Sequence, residues 1–276
     1  MMPMKRFKNS LLLALALAAG LGACGAQSEC NQADPSEPRP KLGLMTSLPI
    51  YWPLGTEIGE FASGEFETPW QREVFEGKFE LVPLDTLSPV ADLHVEAPPI
   101  DPLAEIDRLA VIQPRVLTPS DNVALDDWVR GGGRLLLVLD PVLGGHYPLP
   151  LGDPRHPVEA ALIPPVLERW GLDLRFDEDQ LAIREVTIAD TKFPLVLTGS
   201  LREVAGASGQ CRIMGEGVLA RCRLGKGLAT LLADAEIFKS SHQVGVDDGH
   251  SHGHEDGHEQ EARIPAIQVL VELAFE

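Results

Sequence analysis

The sequence has no apolar run long enough to cross a bilayer. Residues 11–19 form an unbroken run of Leu and Ala near the start, whereas a membrane-spanning helix needs about 20 apolar residues. The run follows three cations, Lys5, Arg6 and Lys8. A basic segment followed by a short apolar segment is typical of an export signal, and we expect no transmembrane helix after it.

The residues after this run match the lipobox of a bacterial lipoprotein: Leu21, Gly22, Ala23 and Cys24. The small residues let the backbone enter a peptidase, and the cysteine thiol accepts diacylglycerol. We therefore predict a signal peptide at residues 1–23 and a lipid anchor on Cys24. The alternative is a soluble secreted protein that is cleaved at an alanine-rich site.

The position after the predicted anchor indicates which membrane the chain reaches. Gly25 stands there instead of the aspartate that favours retention in the inner membrane. We therefore expect an anchored chain that faces the periplasm, with the outer membrane favoured over the inner membrane. Residues 24–40 are polar and rich in proline, which predicts an unfolded tether. We assign residues 41–276 to one α/β domain.

Positive charge is scarce in this sequence. The chain has 23 Lys and Arg against 41 Asp and Glu, a formal net charge of −18. Removal of the predicted signal peptide takes away three cations and no anion, so 20 cations remain and the charge becomes −21. A surface this acidic argues against nucleic acid and anionic lipid as partners. We expect contact with the bilayer only through the acyl chains on Cys24.

Cysteines are few, and their positions limit the possible disulfides. Beyond Cys24 the chain has Cys30, Cys211 and Cys222. An oxidising compartment allows a disulfide, and Cys211 and Cys222 flank a predicted hairpin, so we predict that these two are bonded. The alternative is two unpaired thiols in strands.

The apolar pattern predicts an α/β fold. Residues 106–112 and 134–139 are predicted strands on either side of a helix that begins after Thr118 and ends at three glycines, residues 131–133. Strand, helix and strand in this order form a right-handed βαβ unit. A second helix is predicted at residues 158–170, broken or started by two prolines at 164–165, and a closing helix at residues 264–275. Short alternating segments follow residue 172. We therefore predict a mostly parallel sheet flanked by helices, with an antiparallel extension in the C-terminal half.

Three stretches resemble a known family. They read ALDDWVRGGGRLLLVLDP at residues 124–141, LERWGLDL at 167–174 and GKGLATLLADA at 225–235. In this order they resemble the auxiliary domain of uncharacterised ABC-type transport systems of the gliding-motility type. The resemblance implies a class I glutamine-amidotransferase-like or flavodoxin-like fold. It also implies an accessory role beside ABC transporter subunits, and no reaction.

The sequence lacks a recognisable catalytic nucleophile. An amidotransferase needs a cysteine at a sharp strand-to-helix turn, with a histidine base nearby. Here the strand at 134–139 runs into Asp140 and Pro141 instead. His146 and His156 are near in sequence, but they have no nucleophile to serve. We therefore predict a protein that is not an enzyme, and a hydrolase is a distant alternative.

Polar residues follow most of the predicted strands. In open α/β sheets, ligands bind beyond the carboxyl ends of the strands. The residues at those ends are Thr46, Ser47, Asp85, Gln113, Asp140 and Asp234. They are candidates for a pocket that takes a small cationic or hydroxylated ligand, or a metal. The alternative is that these residues cap helices and close turns.

A histidine-rich loop is predicted at residues 241–260. Its candidate metal ligands are His250, His252, His254 and His258. Alternating histidines in a flexible loop can wrap Zn(II), Ni(II) or Cu(II). The alternative is a solvated, disordered insertion, and the two interpretations are compatible. We therefore predict a non-catalytic lipoprotein that serves an ABC-type transport or envelope system. The alternative function is a periplasmic metal-binding or metal-delivery lipoprotein.

Overall fold

The structure is a computed structural model that describes residues 38–56, 58–92, 97–145, 147, 149–150, 152–204, 210–239 and 255–276. The chain divides into Met1–Pro38 and Arg39–Glu276. The second unit is the folded body described below. The predicted signal peptide, Cys24 and Cys30 lie outside the described residues.

The described residues form a mixed seven-stranded sheet and two separate two-stranded sheets. The strands are β1 (Lys41–Thr46), β2 (Glu80–Pro83), β3 (Arg108–Ile112), β4 (Arg134–Val138), β5 (Leu172–Arg175), β6 (Ile183–Ile188), β7 (Thr191–Val196), β8 (Ser200–Glu203), β9 (Gln210–Met214), β10 (Leu219–Leu224) and β11 (Gly227–Leu232). The order in the large sheet is β2-β1-β3-β4-β11-β10-β9. Strands β5 and β8 pair with each other, as do β6 and β7.

Five α-helices accompany these sheets in the described part of the chain. They are α1 (Ile58–Ser63), α2 (Trp70–Glu76), α3 (Pro119–Gly131), α4 (Val166–Trp170) and α5 (Glu255–Phe275). One face of the large sheet packs against α3, α4 and the β5–β8 pair, with Trp170 fully buried among them. The opposite face packs against α2, α5 and the β6–β7 pair, around Phe75 and Phe193. Central strands are therefore apolar on both faces, which is why β4 reads as a continuous apolar run.

Helix α3 begins as its sequence predicts. Thr118 is the N-cap, its hydroxyl accepts from the Asp121 N–H at 3.1 Å, and Pro119 occupies the first helical position. The Asp121 carboxylate accepts in return from the Thr118 N–H at 3.0 Å, which completes a capping box. The strands on either side, β3 and β4, pair in parallel. The predicted βαβ unit is therefore confirmed.

The turn between β10 and β11 packs tightly against the end of α3. The Lys226 N–H donates to the Arg130 carbonyl oxygen at 3.0 Å. A Cβ at Gly227 would lie 2.0 Å from the Val129 carbonyl oxygen, so only glycine fits there. This contact fixes the position of Lys226 relative to the start of β4.

The predicted fold class is wrong. We expected a mostly parallel, flavodoxin-like or class I glutamine-amidotransferase-like sheet with an antiparallel extension, but four of the eight strand pairings in the described residues are antiparallel, so parallel pairing does not dominate. Strands β9, β10 and β11 are joined by short turns, and a short turn between neighbouring strands leaves only antiparallel pairing. The observed architecture is a mixed α/β fold.

Two predicted helices also differ from the structure. The helix expected at residues 158–170 is reduced to Val166–Trp170, because Pro164 and Pro165 cannot continue a helix from the residues before them. The final helix was expected at residues 264–275 but begins at Glu255. It therefore includes part of the predicted histidine-rich loop.

Replacement of Asp121 by alanine should destabilise the fold by about 3 kcal/mol, because it leaves several partly buried donors unpaired. The carboxylate also accepts from the Thr86 hydroxyl and from the N–H groups of Leu87 and Ser88. Chemical denaturation measures the change. Asp127→Ala, at an exposed position of the same helix, is the control and should cost less than about 0.5 kcal/mol. Equal losses in the two variants would contradict this role.

The pH dependence of this contribution follows from the pKa of Asp121. Burial raises that pKa, but hydrogen bonds from Thr118, Thr86 and the backbone lower it more, so the pKa lies well below its usual range. A lowered folded-state pKa means that the stabilisation is present above pH ~4 and is lost as pH falls towards the folded-state value. The free energies of unfolding of the Asp121→Ala and Asp127→Ala variants should therefore become similar in strong acid.

Candidate functional site

Side chains that bond to the backbone tie the carboxyl ends of β1, β3 and β4 together. The Ser47 hydroxyl donates to the Gln113 carbonyl oxygen over 2.6 Å. The Gln113 Oε1 accepts from the Asp140 N–H at 2.8 Å, and its Nε2 donates to the Asp140 carbonyl oxygen at 3.1 Å. Gln113 is fully buried and has a φ of 44°. These bonds hold it in a left-handed conformation that its side chain disfavours.

The segment after β4 closes over these strand ends. The Val158 N–H donates to the Ser47 hydroxyl at 3.1 Å, and the Val158 carbonyl oxygen accepts from Gln113 Nε2 at 2.9 Å. The Ala161 N–H donates to the Asp140 carbonyl oxygen at 2.8 Å. The chain's own backbone therefore occupies the positions where open α/β sheets bind ligands.

Two fully buried carboxylates follow β4 and β11. Asp140 accepts from the N–H groups of Val142 and Ala235, each at 2.9 Å. Asp234 accepts from the Val196 N–H at 2.9 Å and from the Glu236 N–H at 2.8 Å. The bond from Ala235 joins β11 to β4, and the bond from Val196 joins β7 to β11. Both carboxylates therefore brace neighbouring strands.

Burial shifts the pKa of both carboxyl groups upward. It raises the pKa of Asp140 to about 7, although the N–H donors of Ala235 and Val142 oppose the shift. Burial also raises the pKa of Asp234, and the nearby Asp140 carboxylate adds to the effect. Both groups therefore bind a proton more tightly in the folded chain than in the unfolded chain.

A third carboxylate and a phenol complete this buried cluster. Glu236 lies 3.3 Å from the Lys239 ammonium, and both side chains are almost fully buried. The Tyr147 hydroxyl is buried and has no hydrogen-bond partner among the described residues. Burial raises the pKa of Tyr147, and the Glu236 carboxylate raises it further. The described part of the chain has no group of three or more His, Cys, Asp or Glu residues arranged to hold a metal.

The predicted strand-end residues are therefore only partly brought together. Ser47, Gln113 and Asp140 form one hydrogen-bonded network, and Asp234 is coupled to it electrostatically. The Thr46 hydroxyl accepts from the Leu48 N–H at 3.0 Å and closes a turn. Asp85 is exposed beyond β2. The donors and acceptors of the network form hydrogen bonds with backbone groups, so we assign the network a structural role.

The other predicted site residues are distributed as follows. Cys211 and Cys222 lie opposite each other on β9 and β10 and are joined by a disulfide. His156 packs against the edge of the Tyr147 ring, with centroids 5.3 Å apart. His146 lies outside the described residues, as do three of the four predicted metal ligands: His250, His252 and His254. The fourth, His258, falls in α5. No described helix is long and apolar enough to cross a membrane.

The opposite end of the sheet carries a different cluster, which we call the basic groove. It has a volume of about 600 Å³, and its cations are Arg134, Arg212, Arg221, Arg223 and Lys226. Cross-strand register places the arginines on one face. Residues paired across neighbouring strands form rows: Arg134 pairs with Leu228, which pairs with Arg223. In the next row, two residues along the strands, Arg221 pairs with Arg212. Alternation along a strand sends residues two apart to the same face.

Helix α5 shares this face of the sheet but ends beside the groove. The Thr230 hydroxyl donates to the Leu273 carbonyl oxygen at 3.3 Å, which places the last turn of α5 over β11. Glu276, just after the helix, lines the groove. Arg212 on β9 and Arg223 on β10 are exposed, whereas Arg221 on β10 is partly buried.

The cations of the groove lack acidic partners among the described residues. Glu276 is the one carboxylate in its lining, and this side chain pairs with Lys78 at 3.6 Å. The Arg221 Nε is buried without a hydrogen-bond acceptor in the described part of the chain. Burial lowers the pKa of Arg221, and the positive charge of Arg134 lowers it further. Accumulated positive charge with unused donors is the arrangement that binds an anion.

The groove was not predicted from the sequence. The net charge averages over the whole surface, and it argued against anionic partners. The signal was present as alternation: Arg212 on β9, with Arg221 and Arg223 on β10, all at positions of one parity within their strands. The sequence pattern does not indicate that Arg134 joins these arginines, because its place beside them depends on the pairing of β4 with β11.

Comparisons with known proteins return similar structures only. No family model and no curated protein matches the chain. One similar structure is the exo-β-1,4-mannosidase Op5Man5 from Opitutaceae bacterium strain TAV5, with 12% identity and a TM-score of 0.46, over 85% of this chain and 36% of that chain. Another is Gan42B, a GH42 β-galactosidase from G. stearothermophilus, with 11% identity and a TM-score of 0.42, over 86% of this chain and 30% of that chain. This chain thus spans about a third of either enzyme.

These findings correct the predicted function. The structures named above are glycoside hydrolases, not transport accessory proteins or amidotransferases. We therefore withdraw the accessory role in an ABC-type system, the alternative of metal delivery, and the prediction that the chain is not an enzyme. Identities of 11–12% with TM-scores below 0.5 assign no activity. The function must therefore be argued from the site itself.

The buried carboxyl groups predict a characteristic pH dependence of stability. Because the folded-state pKa values of Asp140 and Asp234 are raised, the folded chain holds extra protons. The free energy of unfolding should therefore fall as pH rises from 5 to 8, by up to about 1.4 kcal/mol per pH unit for each extra proton. Asp140→Asn should flatten this slope, and should cost about 1 kcal/mol at pH 5 for the acceptor it loses.

Denaturant titrations at several pH values measure the slope. Asp153→Asn is the control, because Asp153 is paired with Arg155 at 2.8 Å and has a lowered pKa. That variant should keep the wild-type slope between pH 5 and 8. The same slope in the Asp140→Asn variant as in the wild type would refute the assignment of the titration to Asp140.

Proposed function

We propose that this chain is a binding protein that recognises the carboxylate or phosphate groups of an anionic ligand in the basic groove. One observation carries the proposal. Four arginines lie on one sheet face and Lys226 stands in the adjoining β10–β11 turn, and none of the five forms an ion pair within the described residues. Cations gathered this closely repel one another, so an anion bound between them would be stabilised.

Arginine suits this task better than other residues. Its planar guanidinium presents a fork of donors that matches a carboxylate or phosphate in two parallel hydrogen bonds. Each such bond to a charged group contributes about 1.5–3 kcal/mol. Arg221 is the best placed of the set, because its Nε is already removed from water and unpaired within the described residues. An anion that reached this atom would supply the missing acceptor.

A structural explanation accounts for only part of the cluster. Charged side chains on edge strands prevent the sheet from pairing with another chain, and β9 is an edge strand that carries Arg212. Arg221 and Arg223 lie on β10, which is paired on both sides, and Arg134 lies on central β4. Protection of the edge therefore does not require these three arginines.

Binding of citrate and inorganic phosphate to the purified chain tests the proposal. Calorimetry at low ionic strength should detect both anions, and binding should weaken as salt is added. Arg212→Gln/Arg223→Gln should reduce citrate affinity by about tenfold or more, since tenfold corresponds to about 1.4 kcal/mol. Both residues are exposed, so the fold should be kept.

The matched control removes two cations elsewhere. Arg175→Gln/Lys192→Gln changes the net charge equally, at exposed positions on β5 and β7. It should leave citrate affinity within about twofold of the wild type, which corresponds to ~0.4 kcal/mol. Equal losses of citrate affinity in both double variants would show that the overall charge, and not the basic groove, determines binding. Wild-type protein that binds neither anion would end the proposal.

We also propose where this binding takes place. The lipobox that ends at Cys24 supports a chain held to a bilayer by lipid on that cysteine, facing the periplasm and favouring the outer membrane. The polar residues 24–40 would then separate the folded body from the bilayer. A ligand would be met in the space beside the membrane rather than within it.

Cys24→Ala should abolish lipid attachment and leave unprocessed precursor. The reason is that the thiol is the atom that receives diacylglycerol, and lipid transfer precedes cleavage. Metabolic labelling with a fatty acid and electrophoretic mobility measure the two effects. Globomycin, which blocks the lipoprotein signal peptidase, should make the wild type accumulate as precursor. Normal processing in the presence of the drug would contradict the anchor, and Cys30→Ala should behave as the wild type.

A further inference from the structure

The groove offers hydrogen bonds of more than one kind. Gln210 lies opposite Arg223, so its amide faces the same side as the arginines. An amide both donates and accepts hydrogen bonds, so it can pair with a hydroxyl group in either role. A guanidinium only donates. The described lining residues therefore combine charge recognition with a group that suits an uncharged, hydroxylated surface.

The composition of the described lining also argues against some classes of ligand. No aromatic side chain is among the described lining residues, so neither a nucleobase nor the face of a neutral sugar would find a ring to stack on. Binding must therefore depend on the anionic groups.

The cations are spread out rather than gathered around one point. Arg134, Arg223 and Arg212 lie on β4, β10 and β9, and neighbouring strands are about 4.8 Å apart. Successive rows are separated by two residues along the strand, or about 6.8 Å. A single small anion cannot reach all of these groups, whereas an extended ligand with repeated charges can contact several at once.

We infer that the ligand of the basic groove is an acidic polysaccharide, a linear chain of sugars that carry carboxylates. This inference rests on the proposed anion-binding function and adds the ligand class to it. Carboxylates on successive sugars pair with successive arginines across the sheet, while Gln210 bonds to a sugar hydroxyl between them.

Oligogalacturonates of defined length test the inference in the purified chain. Affinity should rise at least about tenfold from the monomer to the pentamer, because each added carboxylate engages another cation without a new loss of translational freedom. Arg134→Gln and Arg212→Gln, at opposite sides of the groove, should each reduce pentamer affinity more than monomer affinity. Citrate that binds while oligogalacturonate affinity is independent of length would overturn the inference and leave the anion-binding proposal standing.

Gln210→Ala separates sugar recognition from charge recognition. Poly-L-glutamate is the reference ligand, because it carries repeated carboxylates and no hydroxyl group. The variant should weaken oligogalacturonate binding about three- to tenfold, as expected for one lost hydrogen bond, and should leave poly-L-glutamate binding unchanged. Equal effects on both ligands, or tighter binding of polyphosphate or single-stranded DNA than of oligogalacturonate, would overturn the polysaccharide assignment.

Discussion

The parallel pairing of β4 with β11 is the constraint on which both the fold and the basic groove depend. It joins parts of the chain that lie far apart in sequence, with Leu228 beside Arg134 at one end of the pair. At the other end, the buried Asp140 carboxylate accepts from the Ala235 N–H and closes the pair. Without this register, Arg134 would lie on a separate surface from Arg221 and Arg223, and the positive charge would be dispersed.

The two ends of this strand pair have opposite electrostatic character. At the carboxyl end, acidic side chains are buried, their oxygens accept from backbone N–H groups, and the segment through Val158 covers them. At the amino end, cations remain accessible and lack partners among the described residues. Ligands of open α/β sheets are expected at the carboxyl end, but here that end is closed. The groups that are available to bind a ligand, the cations of the basic groove, therefore lie at the amino end of the pair.

Local signals made some of this predictable from the sequence. Thr118 and Pro119 start α3 through contacts within four residues, and the apolar run of β4 requires burial on both faces. The helix predicted at residues 158–170 begins only at Val166, because Pro164 and Pro165, which could have either broken or started it, block the residues before them. Three of the six predicted strand-end residues, Ser47, Gln113 and Asp140, form one network, and only the structure shows that backbone groups satisfy it. The groove needs both strand alternation and long-range pairing, so net charge alone concealed it.

Arginine side-chain NMR during a citrate titration tests the central claim most directly. The Nε–H signals report which guanidinium groups acquire an acceptor. The account predicts saturable shifts at Arg221, whose Nε is buried and unpaired within the described residues, and at Arg134 and Arg223. Arg155 and Arg175, which are already paired with aspartates, should stay unchanged. Shifts that are equal at all arginines, or absent at Arg221, would contradict an anion site in the basic groove.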